Sequence, residues 1–240
     1  MRTLLRWMQP FELLQKNILT LRKGMEIDPA VLISDLVGMG YESDYQVSKV
    51  YQFAKRGGIL DIFSPPQTKP FRLEFFGDEI VSVRSFSLST QRSDAGELEQ
   101  VTIIPARELS LHDISVNSPL LERVHDQGFF EGIENCIGLL FPSVQIFPEY
   151  FDPAKTIIFW SDFPYILEEQ KELAEQVAKD YARQKKEHPK HQIPSPEQIF
   201  ASEEKLISTL NRFQSIFVSQ TDFLFPQLKE AYIAPITGME

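Results

Sequence analysis

The sequence lacks the features that mark disulfide-stabilised or membrane-spanning proteins. A single cysteine, Cys136, cannot form an intrachain disulfide, so nothing favours an oxidising compartment and we expect a cytoplasmic protein. No apolar run approaches the roughly 20 residues that a membrane-spanning helix requires, and we expect no membrane partner. The opening segment carries several charges and lacks a small-residue cleavage site, so we interpret it as an amphipathic helix and a connector.

The 11 glycines do not form a phosphate-binding loop. No stretch reads G-x-x-x-x-G-K-[ST], the pattern whose backbone amides cradle phosphates. Gly38 and Gly40 are spaced like the start of a dinucleotide fingerprint, but the third glycine is absent and the two residues end a predicted helix instead of opening one. We therefore predict no nucleotide cofactor and no ATP hydrolysis by this chain.

Side chains suited to catalysis or metal binding are also scarce. His188 and His191 stand three residues apart, but Pro189 lies between them and no cysteine or carboxylate pair follows at ligand spacing, so we predict a solvated linker. Asp78 and Glu79 are adjacent, and successive strand residues point to opposite faces, which argues against an acid/base pair. We predict no catalytic residue and no metal site, and therefore no enzyme.

Basic charge is scarce overall but concentrated in one segment. The chain has 34 acidic and 24 basic residues and a net charge of −10, which argues against general nucleic-acid binding. Residues 45–93 nevertheless carry a local charge of +3, from Lys49, Lys55, Arg56, Lys69, Arg72, Arg84 and Arg92 against Asp61, Glu74, Asp78 and Glu79. An acidic partner surface suits this basic segment, and a nucleic-acid backbone suits it less well.

Three regions differ in hydrophobic period. Residues 1–40 read as helical, with a helix from Asp28-Pro29 to Gly38 or Gly40. The hydrophobic pattern of residues 45–104 predicts a compact, mostly antiparallel sheet. Gly77-Asp78 is predicted as a hairpin loop and Gly57-Gly58 as a turn or a bulge. The predicted strands are Val47–Val50, Phe53–Lys55, Ile59–Phe63, Phe71–Phe76, Ile80–Phe86 and Val101–Ile104.

Beyond Pro105 helices return, with intermittent strands. We predict a strand at Thr156–Trp160, helices over Asp162–Glu187 and Ser195–Phe213, and a strand at Ser215–Ser219. This alternation is typical of α/β proteins. The overall fold class is therefore α/β, with a small sheet domain beside a larger helical and strand-containing part.

The strand FRLEFF carries the most informative pattern. Alternation places Phe71, Leu73 and Phe75 on one face and Arg72, Glu74 and Phe76 on the other. An arginine beside an aromatic on an outer face is typical of protein interfaces, although another part of the chain covering that face would explain the pattern equally. We expect alanine at Arg56, Arg72 or Phe76 to change stability by about 0.5 kcal/mol at most, and Leu73→Ala to cost roughly 2–4 kcal/mol.

Four blocks in this order resemble the N-terminal region of transcription-repair coupling factors: YQFAKRGGILDIFSPP, PFRLEFFGDEIVSVRSFSLSTQRS, VTIIPARE and GIENCIGLLF. The excision-repair protein UvrB shares RG, EFFGDEI and GIEN, but TQRS and the LLF after GIEN look more like the coupling factors. Ser64, Lys55 and Ser87 depart from the family's usual residues, at the periphery of the motifs.

The resemblance implies a sheet domain that binds the repair protein UvrA and is inserted in or attached to part of a degenerate RecA-like domain. It implies four segments: residues 1–23 and 105–220 from the RecA-like domain, 24–104 as the UvrA-binding domain, and 221–240 as a linker or the next module. The family's UvrA contacts fall on Arg56, Arg72 and Phe76, with Glu74 and Lys55 as possible flanking contacts. RNA polymerase and DNA would bind modules outside this chain.

Two other interpretations remain open from the sequence. The chain could be a fragment of UvrB itself, although the aromatic-rich hairpin with clustered tyrosines that this would favour is not visible. It could also be a stand-alone nucleic-acid-binding domain that uses the basic segment.

Overall fold

The computed structural model describes residues 2–114, 119–161, 163–187 and 192–218. Its strands are β1 (Leu19–Arg22), β2 (Glu42–Ser43), β3 (Gln52–Arg56), β4 (Ile59–Phe63), β5 (Phe71–Phe76), β6 (Glu79–Ser85), β7 (Gln100–Ile103), β8 (Ile157–Ser161) and β9 (Gln214–Val218). Its α-helices are α1 (Arg2–Leu5), α2 (Phe11–Lys16), α3 (Pro29–Gly38), α4 (Pro119–Gln127), α5 (Ile137–Leu140), α6 (Phe163–Glu187), α7 (Pro196–Ile199) and α8 (Glu203–Leu210).

The chain divides into two compact units. The first, here called the sheet unit, comprises Gln9–Ser115 and Leu121–Glu134. The second unit comprises Met1–Met8, Val116–Leu120 and Asn135–Glu240. The domain boundaries expected at residues 23, 104 and 220 stay predictions.

The sheet unit is built on a five-stranded sheet in the order β2-β3-β4-β5-β6. β2 and β3 are parallel, and the remaining neighbours are antiparallel, which confirms the mostly antiparallel sheet. A second, two-stranded sheet pairs β1 with β7 antiparallel. One core joins both sheets to α3, through buried side chains that include Leu21, Leu32, Leu36, Leu60, Phe71, Leu73 and Ile103.

The predicted strands of the sheet unit are mostly confirmed. β4 and β5 have the predicted bounds, whereas β3, β6 and β7 differ from theirs by one residue at each end. The strand predicted at Val47–Val50 is wrong, because Val47 is buried within a loop and packs against Ala54, Phe63 and Phe86 instead of entering a ladder. The helical interpretation of residues 1–40 is also wrong at Leu19–Arg22, which forms β1 by pairing with β7.

Two glycine-containing turns close the hairpins. Gly57-Gly58 is a turn between β3 and β4, where Arg56 pairs with Ile59. Gly77-Asp78 closes the β5–β6 hairpin between paired Phe76 and Glu79, and the φ of +60° at Gly77 is one that glycine adopts without steric cost. Both positions are therefore turns between neighbouring strands, as the sequence predicts.

Helix α3 begins and ends where its sequence predicts. Asp28 caps its N-terminus by accepting a hydrogen bond from the amide of Ala30 at 2.7 Å, and Pro29 occupies the first turn. Leu32 and Leu36 lie one turn apart and are fully buried in the core beneath the sheet. Gly40, at φ +89°, follows the end of the helix.

The second unit contains a parallel pair of strands, β8 and β9, separated in sequence by α6, α7 and α8. Its core includes Leu5, Ile146, Trp160, Leu206 and Leu210. The helix predicted over Ser195–Phe213 is interrupted at Phe200–Ser202. Phe200 forms a β-bridge with Arg6, and Ser202 then caps α8 by accepting from the amide of Lys205.

Some predicted features lie outside the described residues, among them His188, Pro189, His191, Ser219 and the segment 221–240. Within the described ranges, no group of three histidine, cysteine or acidic side chains is arranged to hold a metal ion. No described helix is both long and apolar enough to cross a membrane. Cys136 is buried.

Candidate protein-docking face

The two faces of β5 differ as the alternation predicts. Phe71 and Leu73 are fully buried in the core of the sheet unit, and Phe75 packs at its margin. Arg72, Glu74 and Phe76 lie on the opposite face, here called the outer face. A register shift between Glu74 and Phe75 places two β6 residues where one would otherwise pair, yet the assignment of side chains to faces holds along the strand.

Phe76 projects from the end of the β5–β6 hairpin, next to its turn. Its side chain is 79% exposed, whereas the other two phenylalanines of β5 are buried (Phe71) and half-buried (Phe75). Single exposed apolar residues are ordinary on protein surfaces, so exposure alone assigns no function. A large aromatic held beside a two-residue turn is nevertheless well suited to enter a pocket on a partner, because few rotatable bonds must be fixed.

Arg56 and Arg72 converge on one buried carboxylate, that of Asp61 in β4. The side chain of Asp61 is 0% exposed. Arg72 Nε donates to Asp61 Oδ1 at 2.7 Å, and Arg72 Nη2 donates to Oδ2 at 2.9 Å, in a bidentate pair. Arg56 Nη2 donates to the same Oδ2. These three side chains, here called the Asp61 cluster, carry a formal charge of +1.

Arg72 is less exposed than its position in the strand suggests. Its side chain is only 13% exposed, its Nη1 donates to Ser93 Oγ at 3.2 Å, and its guanidinium lies 4.9 Å from the centre of the Phe86 ring. The hydrogen bonds to Asp61 raise the pKa of Arg72 above its already high ordinary value. The expectation of an exposed side chain is therefore wrong for Arg72, because part of this chain covers it.

The outer face is covered at one end and open at the other. Val47, Ala54, Phe63 and Phe86 form a small buried cluster over the covered end, with Leu88 packed against it. Arg56, whose side chain is 36% exposed, and Phe76 lie toward the open end, near the hairpin turns. This chain thus covers one part of the outer face and leaves the other part exposed.

The two flanking residues lie on different faces. Glu74 is half-buried on the outer face, opposite Ile59 of β4. Lys55 is exposed but pairs with Leu60, so it follows the core-side alternation of β3, opposite to Arg56. There it lines a cavity of about 140 Å³ with Pro29, Gly57, Gly58, Ile59, Leu60, Phe75 and Gly77. Glu74 therefore shares a face with the other candidate residues, and Lys55 does not.

The excess positive charge of the basic segment is offset by acidic residues just outside it. Lys49 pairs with Glu42, Lys69 with Asp94, and Arg84 with Glu97, in addition to the pairs made by Asp61. Extending the segment to residues 42–97 adds Glu42, Asp44, Asp94 and Glu97, and the formal charge falls from +3 to −1. Hydrogen bonds from Ser85 and Lys69 lower the pKa of Asp94, which keeps that carboxylate charged. This balance weakens the case for a nucleic-acid backbone as the partner.

Asp61 is the member of the site that sequence reasoning missed. The strand ILDIF does place Asp61 on the same face as Ile59 and Phe63, so a carboxylate inside an apolar strand was visible as a signal. Its importance depends on the register, which sets it opposite Arg72 on β5 and Ala54 on β3. Pairing across strands is not readable from the alternation of one strand.

Comparison with known proteins finds similarity within the sheet unit. A family model described as "UvrB interaction domain" matches residues 19–109. A transcription-repair-coupling factor of Staphylococcus haemolyticus is 40% identical over 108 residues, which are 45% of this chain and 9% of that protein. That of Staphylococcus aureus (strain MRSA252) is 42% identical over 103 residues, which are 43% of this chain and 9% of that protein. That of Myxococcus xanthus is 40% identical over 112 residues, which are 47% of this chain and 9% of that protein.

The resemblance predicted from the four sequence blocks is thereby confirmed, and the matched segment spans about a tenth of the length of these relatives. Arg56, Asp61, Arg72 and Phe76 all fall inside the matched residues. Residues 19–109 thus match the UvrB interaction domain family, in a chain that is similar in this region to transcription-repair-coupling factors.

Proposed function

We propose that this chain is part of a transcription-repair coupling factor and that its sheet unit docks UvrA through the open end of the outer face. In this role the chain recruits the excision-repair machinery and performs no chemistry of its own. RNA polymerase and DNA would be bound by other modules of the longer protein. The cytoplasm, where transcription and repair take place in bacteria, is the proposed location.

The exposure of Phe76 carries the proposal. It is 79% exposed at the end of a well-packed hairpin inside the residues that match the UvrB interaction domain family, and it lies on the same face as Arg56. Aromatic and arginine side chains dominate the binding energy of protein interfaces, since they combine large contact areas with directed hydrogen bonds. Arg56 and Glu74 give this face charges of both signs around the aromatic group.

We further propose that the second unit belongs to a degenerate RecA-like domain. Its support is the parallel pair β8 and β9, which are separated in sequence by three helices, an arrangement typical of α/β folds. Parallel sheets are normally buried on both faces, yet Ile157, Phe159, Ile216 and Val218 are exposed on one face of this pair. Such a two-stranded ribbon is consistent with one piece of a larger sheet.

A different observation argues against each of the two alternatives to UvrA docking. The similarity to coupling factors, at 40–42% identity, favours a coupling factor over a UvrB fragment. Nucleic-acid binding is disfavoured by the ion pairs that neutralise the basic segment. A titration with duplex DNA in increasing salt tests this alternative directly, since backbone binding weakens steeply with salt.

The test of UvrA docking is a comparison of Phe76→Ala with a matched control. Tyr45 is another exposed aromatic of the sheet unit, 84% exposed and outside the proposed face, so Tyr45→Ala serves as the control. We expect Phe76→Ala to weaken binding to purified UvrA by about 1–3 kcal/mol, measured by calorimetry without nucleotide, and to leave thermal stability unchanged. Equal affinities of Phe76→Ala and Tyr45→Ala would refute the assignment of this face.

A further inference from the structure

We propose that Asp61 is the positioning residue of the docking face: its buried carboxylate fixes the guanidinium groups of Arg56 and Arg72 before the partner arrives. This inference rests on the proposed function, because it concerns the same face. Asp61 itself is fully buried and offers no surface to a partner. Its influence on binding must therefore act through the two arginines.

The register of three strands creates the cluster. On β5, Arg72 stands directly opposite Asp61, which explains the bidentate pair. On β3, the residue opposite Asp61 is Ala54, whose side chain is a single methyl group. That small side chain leaves room for the guanidinium of Arg56, two residues further along the same face of β3, to reach the same carboxylate.

The two arginines have different roles within the cluster. A guanidinium group has five N–H donors. Arg72 uses three of them on Asp61 and Ser93 and is 13% exposed, so it mainly completes the fold. Arg56 uses one on Asp61 and is 36% exposed, so it can offer several N–H groups to an acceptor on a partner. Arg56 is thus the arginine that Asp61 holds in position for a partner.

The physical reason for such an arrangement is conformational entropy. A flexible arginine loses rotamer freedom when a complex immobilises it, and this loss weakens binding. Arg56 is anchored to Asp61 in the free chain, so part of that loss occurs on folding and not on binding. Replacing Asp61 with asparagine keeps the side-chain shape but removes the negative charge, and the guanidinium of Arg56 is released.

The experiment measures binding of purified UvrA to the full chain and to Asp61→Asn, Arg56→Ala and the double variant. We expect Asp61→Asn to raise the dissociation constant about tenfold, which corresponds to about 1.4 kcal/mol. In the Arg56→Ala background, Asp61→Asn should change the dissociation constant less than threefold. Asp94→Asn is the matched control, since Asp94 is an ion-paired carboxylate of the same unit outside the cluster, and it should bind like the wild type.

A second measurement does not depend on the folding of any variant. Relaxation of the Nε nitrogens by NMR, in the wild-type chain without UvrA, should show Arg56 to be more ordered than Arg92, an exposed arginine of the same unit. A purely structural role for Asp61 would order Arg72 but would leave Arg56 as mobile as Arg92. Equal mobility of Arg56 and Arg92 would overturn the inference.

The outcomes separate this inference from the proposed function. If the wild-type chain does not bind UvrA, the proposed function fails and the inference fails with it. If the wild type binds and folded Asp61→Asn binds equally well, UvrA docking stands and the positioning role is refuted. If Asp61→Asn weakens binding to the same extent with and without Arg56, Asp61 does not act through that arginine, which also refutes the inference.

Discussion

Replacing Arg72 with methionine should destabilise the sheet unit, although sequence alternation alone predicts an exposed and replaceable side chain. Methionine keeps an unbranched apolar stem against Phe86 but removes the bidentate partner of Asp61, which is 0% exposed. Removing one member of a buried ion pair typically costs 3–5 kcal/mol, because the other charge stays buried. Arg56 still contacts Asp61, so we expect the lower end of that range, about 3 kcal/mol.

A double variant isolates the cause. Replacing a buried ion pair by groups without charge is often close to neutral, so Asp61→Asn combined with Arg72→Met should recover at least half of the stability lost in Arg72→Met. Arg92→Met is the matched control, and it should lie within about 0.5 kcal/mol of the wild type because Arg92 is exposed.

The assay must report on the sheet unit alone. Trp7 and Trp160 both lie in the second unit, so tryptophan fluorescence would follow the wrong part of the chain. Amide hydrogen exchange of β4 and β5 in increasing urea gives the free energy of opening of the sheet unit itself. A loss below about 0.5 kcal/mol in Arg72→Met, or a double variant as unstable as the sum of the single variants, would refute the reasoning.

Two further predictions concern the core of the sheet unit. Leu73→Ala should lower its unfolding free energy by roughly 2–4 kcal/mol in the same exchange assay, since the side chain is fully buried, and UvrA affinity per folded molecule should not change. Burial raises the pKa of Tyr41, whose hydroxyl donates to the carbonyl of Ile104 at 2.8 Å. The stability that the neutral phenol contributes should therefore be fully present below the unfolded-state pKa of about 10, and it should be lost at higher pH. An alkaline titration in which Tyr41→Phe loses stability as steeply as the wild type would contradict this.

Local patterns predicted those parts of the fold that local physics determines. β4 and β5 have the expected bounds, because each is a short, mostly apolar run that ends at a turn. Helix α3 begins at its capping aspartate and proline for similarly local reasons. The face of Phe76 also followed from the period of the strand, because successive strand residues point to opposite faces whatever pairs with them.

The errors arose where distant parts of the chain determine the structure. β1 has only four residues and follows a helix, and its partner β7 lies about eighty residues further along the chain. Val47–Val50 has the composition of a strand, but Val47 packs into the outer-face cluster instead of pairing. The burial of Arg72 depends on Asp61, Phe86 and Ser93, which come from three other places in the sequence. Tertiary contacts of this kind leave little signal in any single segment.

Backbone pairing along the outer edge of β6 restricts how another chain can recognise the sheet. The amides of Gly24, Leu98 and Asp94 donate to the carbonyls of Ile80, Val83 and Ser85 at 2.8 Å each. Many recognition domains bind a peptide by letting it add a strand to an open edge, which reads backbone geometry and tolerates varied sequences. Because these β6 carbonyls are already bonded within the chain, a partner at this edge must recognise side chains. The same closed edge also discourages copies of this chain from joining edge to edge into aggregates.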